Sequence, residues 1–284
     1  MRINTNVSSL NAQESATKTN NALSSSLEKL SSGLRINKAA DDASGLAIAD
    51  KLRTQATSIN QATDNGNSAV SLLQIADKSM AEQSNILDTV KAKMIQANTD
   101  TTSDDGKESI KNDIRKLLEQ LNNIAEQTNY NGTALLQAST GSSGTGTMTG
   151  LTFQVGESAN DTITVGNIQS NTSGLSLTSI VNNVSAGATF TSYDLTAQTA
   201  VDDAITKLNE FRSEIGSTQN QVESAVRNLM TQATNVNAAE SVIRDVDYAQ
   251  ESANFNKQNI IAQAGSYAIS QANTVQQNVL KLLQ

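Results

Sequence analysis

VDDAITKLNEFRSEIGSTQNQVESAVRNLMTQATNVNAAESVIRDV, residues 201–246, carries a seven-residue repeat from end to end. Val201, Leu208, Ile215, Val222, Leu229, Val236 and Ile243 hold one position of that repeat; Ala204, Phe211, Ala225, Ala239 and Val246 form much of the neighbouring seam. Apolar residues every 3.5 positions commit a helix to packing along another helix, and the small alanines permit close approach with little burial each. The partner must be comparably long. It lies upstream, where Leu52, Ile59, Leu73, Met80, Leu87 and Met94 share one seven-residue register with Gly66 at the missing step. A helix over 44–98 would run about 80 Å at 1.5 Å per residue, a length that requires a packing partner.

Around this pair the pattern changes in steps. Leu23, Leu27, Leu30 and Leu34 step by four, three and four, the stripe of an earlier helix. NTDTTSDDG at 98–106 reads as a loop, with Asp105 and Glu108 expected to cap a shorter helix bearing Ile110, Ile114, Leu117, Leu121 and Ile124. Asn131-Gly132 signals a tight turn. Residues 138–192 are rich in Ser, Thr and Gly, and within them LTFQVG and DTITVG alternate as two short strands. The last segment steps Ala268, Ala272, Val275, Val279 and Leu282 along one face, with Lys281 the only charge in the final twenty residues. Both terminal helices have weak apolar faces and are expected to be completed by other copies of the chain. The expected fold is mainly α: long antiparallel, coiled-coil-like helices from both halves of the chain, a small β-hairpin region in the middle, and no large outer domains.

Composition removes whole classes of function. The 284 residues contain no Cys, His, Pro or Trp, so thiol and imidazole catalysis, thiolate zinc sites and disulfides are excluded. A formal net charge of −8 opposes a nucleic-acid surface. No apolar run approaches the roughly 18 residues of a membrane span, and MRINTNVSSLNAQ lacks the apolar core of a cleavable signal peptide. The reading is of a non-enzyme with no cofactor and no metal.

The one stretch that interrupts the helical pattern early is SSGLRINKAADDASGLAIAD, residues 31–50. Asp41 and Asp42 are adjacent rather than on one helical face and have no His beside them, so they read as charge at a helix N-terminus. Gly33 and Gly45 match no phosphate-binding spacing. Asp104 and Asp105 lack the alternating ligand pattern of a calcium loop. The stretch is therefore expected to be a joint, with Gly33 and Gly45 relaxing the backbone and Arg35, Asn37, Lys38, Asp41 and Asp42 supplying polar contacts. A second cluster, Arg244, Asp245 and Asp247, falls where the heptads stop, and an antiparallel hairpin would bring both joints to one level.

SSLEKLSSGLRINKAADDASGLAIADKLR at 25–53, QTNYNGTALL at 127–136 and IRDVDYAQESANFNKQNIIAQAGSYAISQANTVQQNVLKLLQ at 243–284 resemble bacterial flagellin, and with MRINTNV most resemble the short flagellins of epsilon-group bacteria. The resemblance covers 1–137 and 196–284 well and the middle loosely. It implies a self-assembling subunit of the flagellar filament outside the cell, exported unfolded by the flagellar type III apparatus. Partners would be other copies of itself, an export chaperone, and cap and junction proteins; a hook–filament junction protein or a secreted effector are the alternatives. It divides the chain into an inner-tube helix and linker at 1–43, surrounding-tube helices at 44–137 and 196–243, a variable hairpin region at 138–195, and a linker with inner-tube helix at 244–284. Inner-tube packing would fall to Leu23, Leu27, Leu30 and Leu34 with Ala268, Ala272, Val275, Val279 and Leu282. Some flagellins meet a toll-like immune receptor through a helix bearing LQRVRELAVQ. Here LDTVKAKMIQ at 87–96 puts Thr89, Ala92 and Lys93 where that motif has Arg, Glu and Leu, so weak or absent recognition is expected. The resemblance also implies O-glycosylation of exposed Ser and Thr within 139–149 and 170–192.

Overall fold

The computed structural model describes residues 5–137, 150–184 and 195–282. In chain order these form α1 (Val7–Ser32), α2 (Ala43–Ala97), α3 (Asp104–Gln127), β1 (Asn129–Tyr130), β2 (Thr133–Ala134), β3 (Thr152–Gln154), β4 (Thr162–Thr164), α4 (Thr178–Val184), α5 (Leu195–Arg244) and α6 (Tyr248–Leu282). The fold is mainly α with two antiparallel hairpins, as the periodicity predicts. Two compact units divide it: Met1–Thr57 with Thr234–Gln284, and Ser58–Ala233. Their limits fall inside α2 and α5, not at the linkers where the sequence changes character.

In the 58–233 unit, α2 and α5 run antiparallel. Asp77 of α2 accepts from Arg212 of α5 at 3.0 Å, while Lys91, further along α2, meets the earlier Asp202. The predicted heptad positions are its core: Ile59, Leu73, Met80, Leu87 and Met94 on α2 and Val201, Leu208, Ile215, Val222 and Leu229 on α5 are all buried. Gly66 fills its step for a steric reason. A Cβ there would lie 2.4 Å from Val226 Cγ2. The second seam departs from expectation. Ala204 is buried, but Phe211 and Ala225 are half-buried and Ala239 is exposed, while Val226 and Ala233 take buried places. A straight α-helix drifts about 20° per heptad against a 3.5-residue repeat, so the contact line slides one position along α5.

Helix α3 adds Ile110, Ile114, Leu118 and Leu121 to the same core. Its N-cap is Ser103, whose hydroxyl accepts from Gly106 N at 3.3 Å, not Asp105; both Asp104 and Asp105 instead lie in the first turn, where the helix dipole favours them. Buried Gln83 on α2 donates to the carbonyls of Leu121 and Ser170, tying the segment after β4 to two helices. The turn between β1 and β2 uses Asn131 at φ 50° and Gly132 at φ 81°, the left-handed pair that a two-residue hairpin needs. In β4, Ile163 is buried between exposed Thr162 and Thr164.

In the other unit, α1 packs antiparallel on α6. Asn6 caps α1 by accepting from Ser9 N, and its Nδ2 donates to Ala272 O at 3.1 Å. At the far end the buried Ser26 hydroxyl donates to the Glu251 carboxylate. Between these ties Gly265 lies close to Ala16, and a Cβ on Gly265 would be 3.8 Å from that of Ala16. No described helix is long and apolar enough to cross a membrane.

Candidate functional site

The two linkers meet. Leu34 and Asp245 form an isolated antiparallel bridge, closed by Arg35 N donating to Arg244 O at 2.6 Å and Val246 N donating to Gly33 O at 3.0 Å. The Arg35 guanidinium adds a bond from Nη2 to Ile243 O at 2.6 Å. Arg35 therefore satisfies two carbonyls that the end of α5 leaves open.

The glycines act differently from one another. Gly33 ends α1 in the left-handed region at φ 74°, its amide returning to Lys29 O, and the Tyr248 hydroxyl sits 2.8 Å from where a Cβ would be. That position needs glycine for both conformation and space. Gly45 does not relax the backbone as expected: it is in the first turn of α2, where a Cβ would lie 2.4 Å from Asp42 Oδ2 and 2.7 Å from Ile36 Cδ1. It makes room for buried Ile36 beneath the helix start.

Asp41, Asp42 and Asp247 each cap a turn. Asp42 Oδ1 accepts from Gly45 N at 2.9 Å, and Asp247 Oδ1 accepts from Ala249 N and Gln250 N, starting α2 and α6 respectively. Asp41 Oδ2 accepts from both Lys38 N and Asn37 N at 3.0 Å; these backbone donors, the Lys38 amide foremost, hold its carboxyl below the usual range. Asn37 Nδ2 donates to Ser32 Oγ at 2.7 Å. Lys38 Nζ donates to Glu28 Oε2 at 2.7 Å, and this bond raises the lysine's pKa. Asp245 Oδ2 accepts from Ser241 Oγ. Arg244 Nη1 lies 3.7 Å from Glu240 Oε1, while its buried Nε meets no partner among the described residues.

The terminal stripes are only partly covered within the chain. Leu23, Leu30 and Leu34 are half-buried, but Leu27 is 56% exposed. On α6, Ala272 is half-buried, yet Ala268 is exposed and Val275 is 53% exposed; the side chains of Val279 and Leu282 lie outside the described residues. The face turned to α1 instead carries Phe255, Ala262, Gly265, Ile269 and Ala272. Sequence reading missed that face because its residues are small or singly apolar. The opposite face keeps Ile260 at 68% and Tyr267 at 73% exposure.

On α2, Thr89 and Ala92 are exposed, with Thr89 Oγ1 returning to Asn85 O; Lys93 Nζ reaches Asp113 Oδ2 at 3.2 Å. Residues 139–149, offered for glycosylation, lie outside the described residues, as do 185–192. Ser170 and Thr172 are buried and closed to modification in the folded chain, whereas Ser173, Ser176, Thr178 and Ser179 are exposed.

Profiles of known families match both halves: the bacterial flagellin N-terminal helical region over residues 3–141 and the C-terminal helical region over 198–283. Flagellin of Bacillus subtilis is 35% identical, with all of both chains covered. The chain belongs to the bacterial flagellin family. A flagellar filament 31.3 kDa core protein of Treponema maltophilum is 33% identical over the whole of both chains. Flagellin B of Helicobacter pylori strain J99 is 47% identical over 162 residues, which are 57% of this chain but 30% of that protein. That flagellin is much longer, and most of its extra length has no counterpart in these 284 residues. Flagellins are structural proteins, and residues 33–45 and 243–247 here form a set of turn caps and hydrogen bonds between the two linkers.

Proposed function

We propose that the chain is the structural subunit of a bacterial flagellar filament, self-assembling outside the cell after unfolded export by the flagellar type III apparatus. One observation carries it beyond family membership. Helix α6 packs one face on α1 and leaves Ile260, Tyr267 and Val275 uncovered on another, a row that lateral association of copies would bury. The absence of prolines suits a chain that must refold after export, because prolyl isomerisation takes tens of seconds. Residues 1–43 and 244–284 are assigned to the inner tube, 44–137 and 196–243 to the surrounding tube, and 138–195 to the variable region. The likeness to epsilon-group flagellins rests on the quoted segments. RINKAADDASGLAIAD together with a terminal VLKLLQ favours a filament subunit over a hook–filament junction protein or a secreted effector. Chaperone, cap and junction partners belong to the same reading, as does weak immune-receptor recognition through the 87–96 helix. Tight binding of the receptor ectodomain in a titration would refute that last element.

Electron microscopy of the purified chain at rising concentration tests the function. Helical filaments should form from the intact chain and fail to form when residues 1–43 or 244–284 are removed. A monodisperse monomer under all conditions would overturn the proposal.

A further inference from the structure

Asn-Gly occurs twice in the sequence, at 65–66 and at 131–132, and both pairs lie in the 58–233 unit. Asparagine is a labile residue, and a following glycine puts no side chain in the way of attack on the carboxamide by the next main-chain nitrogen. The two pairs therefore share one local chemistry. The fold places them very differently.

Asn65 is half-buried in the middle of α2, and its carboxamide is engaged at both ends. Nδ2 donates to Gln154 O at 3.3 Å, and Oδ1 accepts from Gln61 Nε2 at 3.0 Å. Gly66 is buried against Val226. Bringing the Gly66 nitrogen onto this carboxamide requires unwinding α2 where it meets α5. Asn131 and Gly132, by contrast, are both exposed, and nothing lies within 4 Å of where a Cβ on Gly132 would be. The Asn131 carboxamide meets no hydrogen-bond partner among the described residues. The turn fixes the main chain at φ 50° and 81°, so the Gly132 nitrogen reaches Cγ only when the turn opens. Only the pairs Asn129–Ala134 and Tyr130–Thr133 must part for that. Openings of this size lie at the low end of local stability, whereas opening the middle of a core helix approaches global unfolding.

We propose that Asn131 is a site of spontaneous deamidation, and that the fold directs the reaction there by protecting Asn65. The Gly132 nitrogen attacks Asn131 Cγ; the N–Cγ bond forms, the Cγ–Nδ2 bond breaks, and ammonia leaves with the displaced amide proton. Water then opens the succinimide. Addition at Cγ restores the ordinary main chain as aspartate, and addition at the Asn131 main-chain carbonyl leaves isoaspartate, linked to Gly132 through Cγ. The two products differ in consequence. Asp-Gly suits the same tight turn as Asn-Gly, so the aspartate form keeps the hairpin and gains one negative charge. Isoaspartate lengthens the main chain by one carbon inside a two-residue turn, which breaks the register that leads into the fully buried Leu135 and Leu136. The chain thus carries an age-dependent modification that is independent of filament formation.

The test is incubation of the full-length folded chain at mildly alkaline pH, with peptide mapping by mass spectrometry and fragmentation that separates aspartate from isoaspartate. Asn131 should convert at least ~10-fold faster than Asn65, because only Asn131 reacts through a local opening. In concentrated urea the two rates should converge. An Asn131 that converts no faster than Asn65 in the folded chain would overturn the proposal, and so would a gap that persists unchanged in urea, since the fold would then not be what separates the sites. Asn131→Asp serves as the second arm: it should melt with the wild type, while the isoaspartate form exchanges its Leu135 amide faster. Equal Leu135 protection in the two would refute the consequence drawn for the core.

Discussion

Gly66→Ala sets two effects of known size against each other in the middle of α2. In an exposed helix, alanine is favoured over glycine by about 1 kcal/mol. At residue 66, however, the new methyl would sit 2.4 Å from Val226 Cγ2, with Val222 Cγ1 at an ordinary 3.7 Å. Val226 is buried, and valine in a helix has one strongly preferred rotamer, so it cannot simply swing aside. Overpacking of this kind costs about 1–3 kcal/mol. The net expectation is a loss of about 1 kcal/mol, or a melting temperature lower by about 2–4 °C for a unit of this size. Val226→Ala relieves the clash, since Val226 Cβ stands 3.9 Å from the new methyl. In that background Gly66→Ala should stabilise the protein by about 1 kcal/mol, which makes the coupling between the two sites about 2 kcal/mol. Urea unfolding of the four proteins, followed by far-ultraviolet circular dichroism, measures it. If Gly66→Ala stabilises equally in both backgrounds, close approach of α2 and α5 is not what glycine provides at this position.

Arg35→Ala should leave the 58–233 unit intact by circular dichroism while impairing filament growth or stiffness; unaltered polymerisation and swimming would refute the role given to the joint. Asp41 has a lowered folded-state pKa, so the loop stability it contributes is present above its unfolded pKa, near 4, and is lost as pH falls through the lower folded value. A carboxyl ¹³C titration should place its midpoint below that of a model aspartate, and Asp41→Asn should flatten the acid response of the Asn37 and Lys38 amides. Ser103→Ala removes the N-cap of α3 and should cost about 1 kcal/mol, with faster amide exchange confined to its first turn. Unchanged exchange at Gly106 would show that the hydroxyl is not the cap in solution.

The core of the 58–233 unit was legible because large apolar side chains at heptad spacing leave one face to bury. Leu73, Met80 and Leu87 could face nowhere but the α5 positions Val201, Leu208 and Ile215. The terminal helix was less legible for the same physical reason in reverse. Along α6, residues 255, 262, 265, 269 and 272 and residues 260, 264, 267, 268 and 275 form two faces of similar, modest hydrophobicity. Only the detailed fit to α1, with Asn6 tied to Ala272 and Ser26 to Glu251, decides which is covered within the chain. The α3 cap was misplaced by two residues because Ser103 and Asp105 are both good capping types, and the backbone direction selects between them.

The joint shows where side-chain patterns stop informing. Its position was readable from the interruption of both helical halves. Its construction was not readable, because two of the bonds that close it run between main-chain groups, which leave no mark on residue identity. Gly33 is the exception, since a left-handed residue against Tyr248 tolerates little else. Arg35 was expected to supply a polar contact, and its guanidinium goes to a carbonyl at the end of α5. A cation there also meets the negative end of the helix dipole, so the same side chain caps the helix and complements its charge. Lysine at this position would keep the charge but lose the fixed planar fork, so the contact to the Ile243 carbonyl, rather than charge alone, makes arginine the fitting residue.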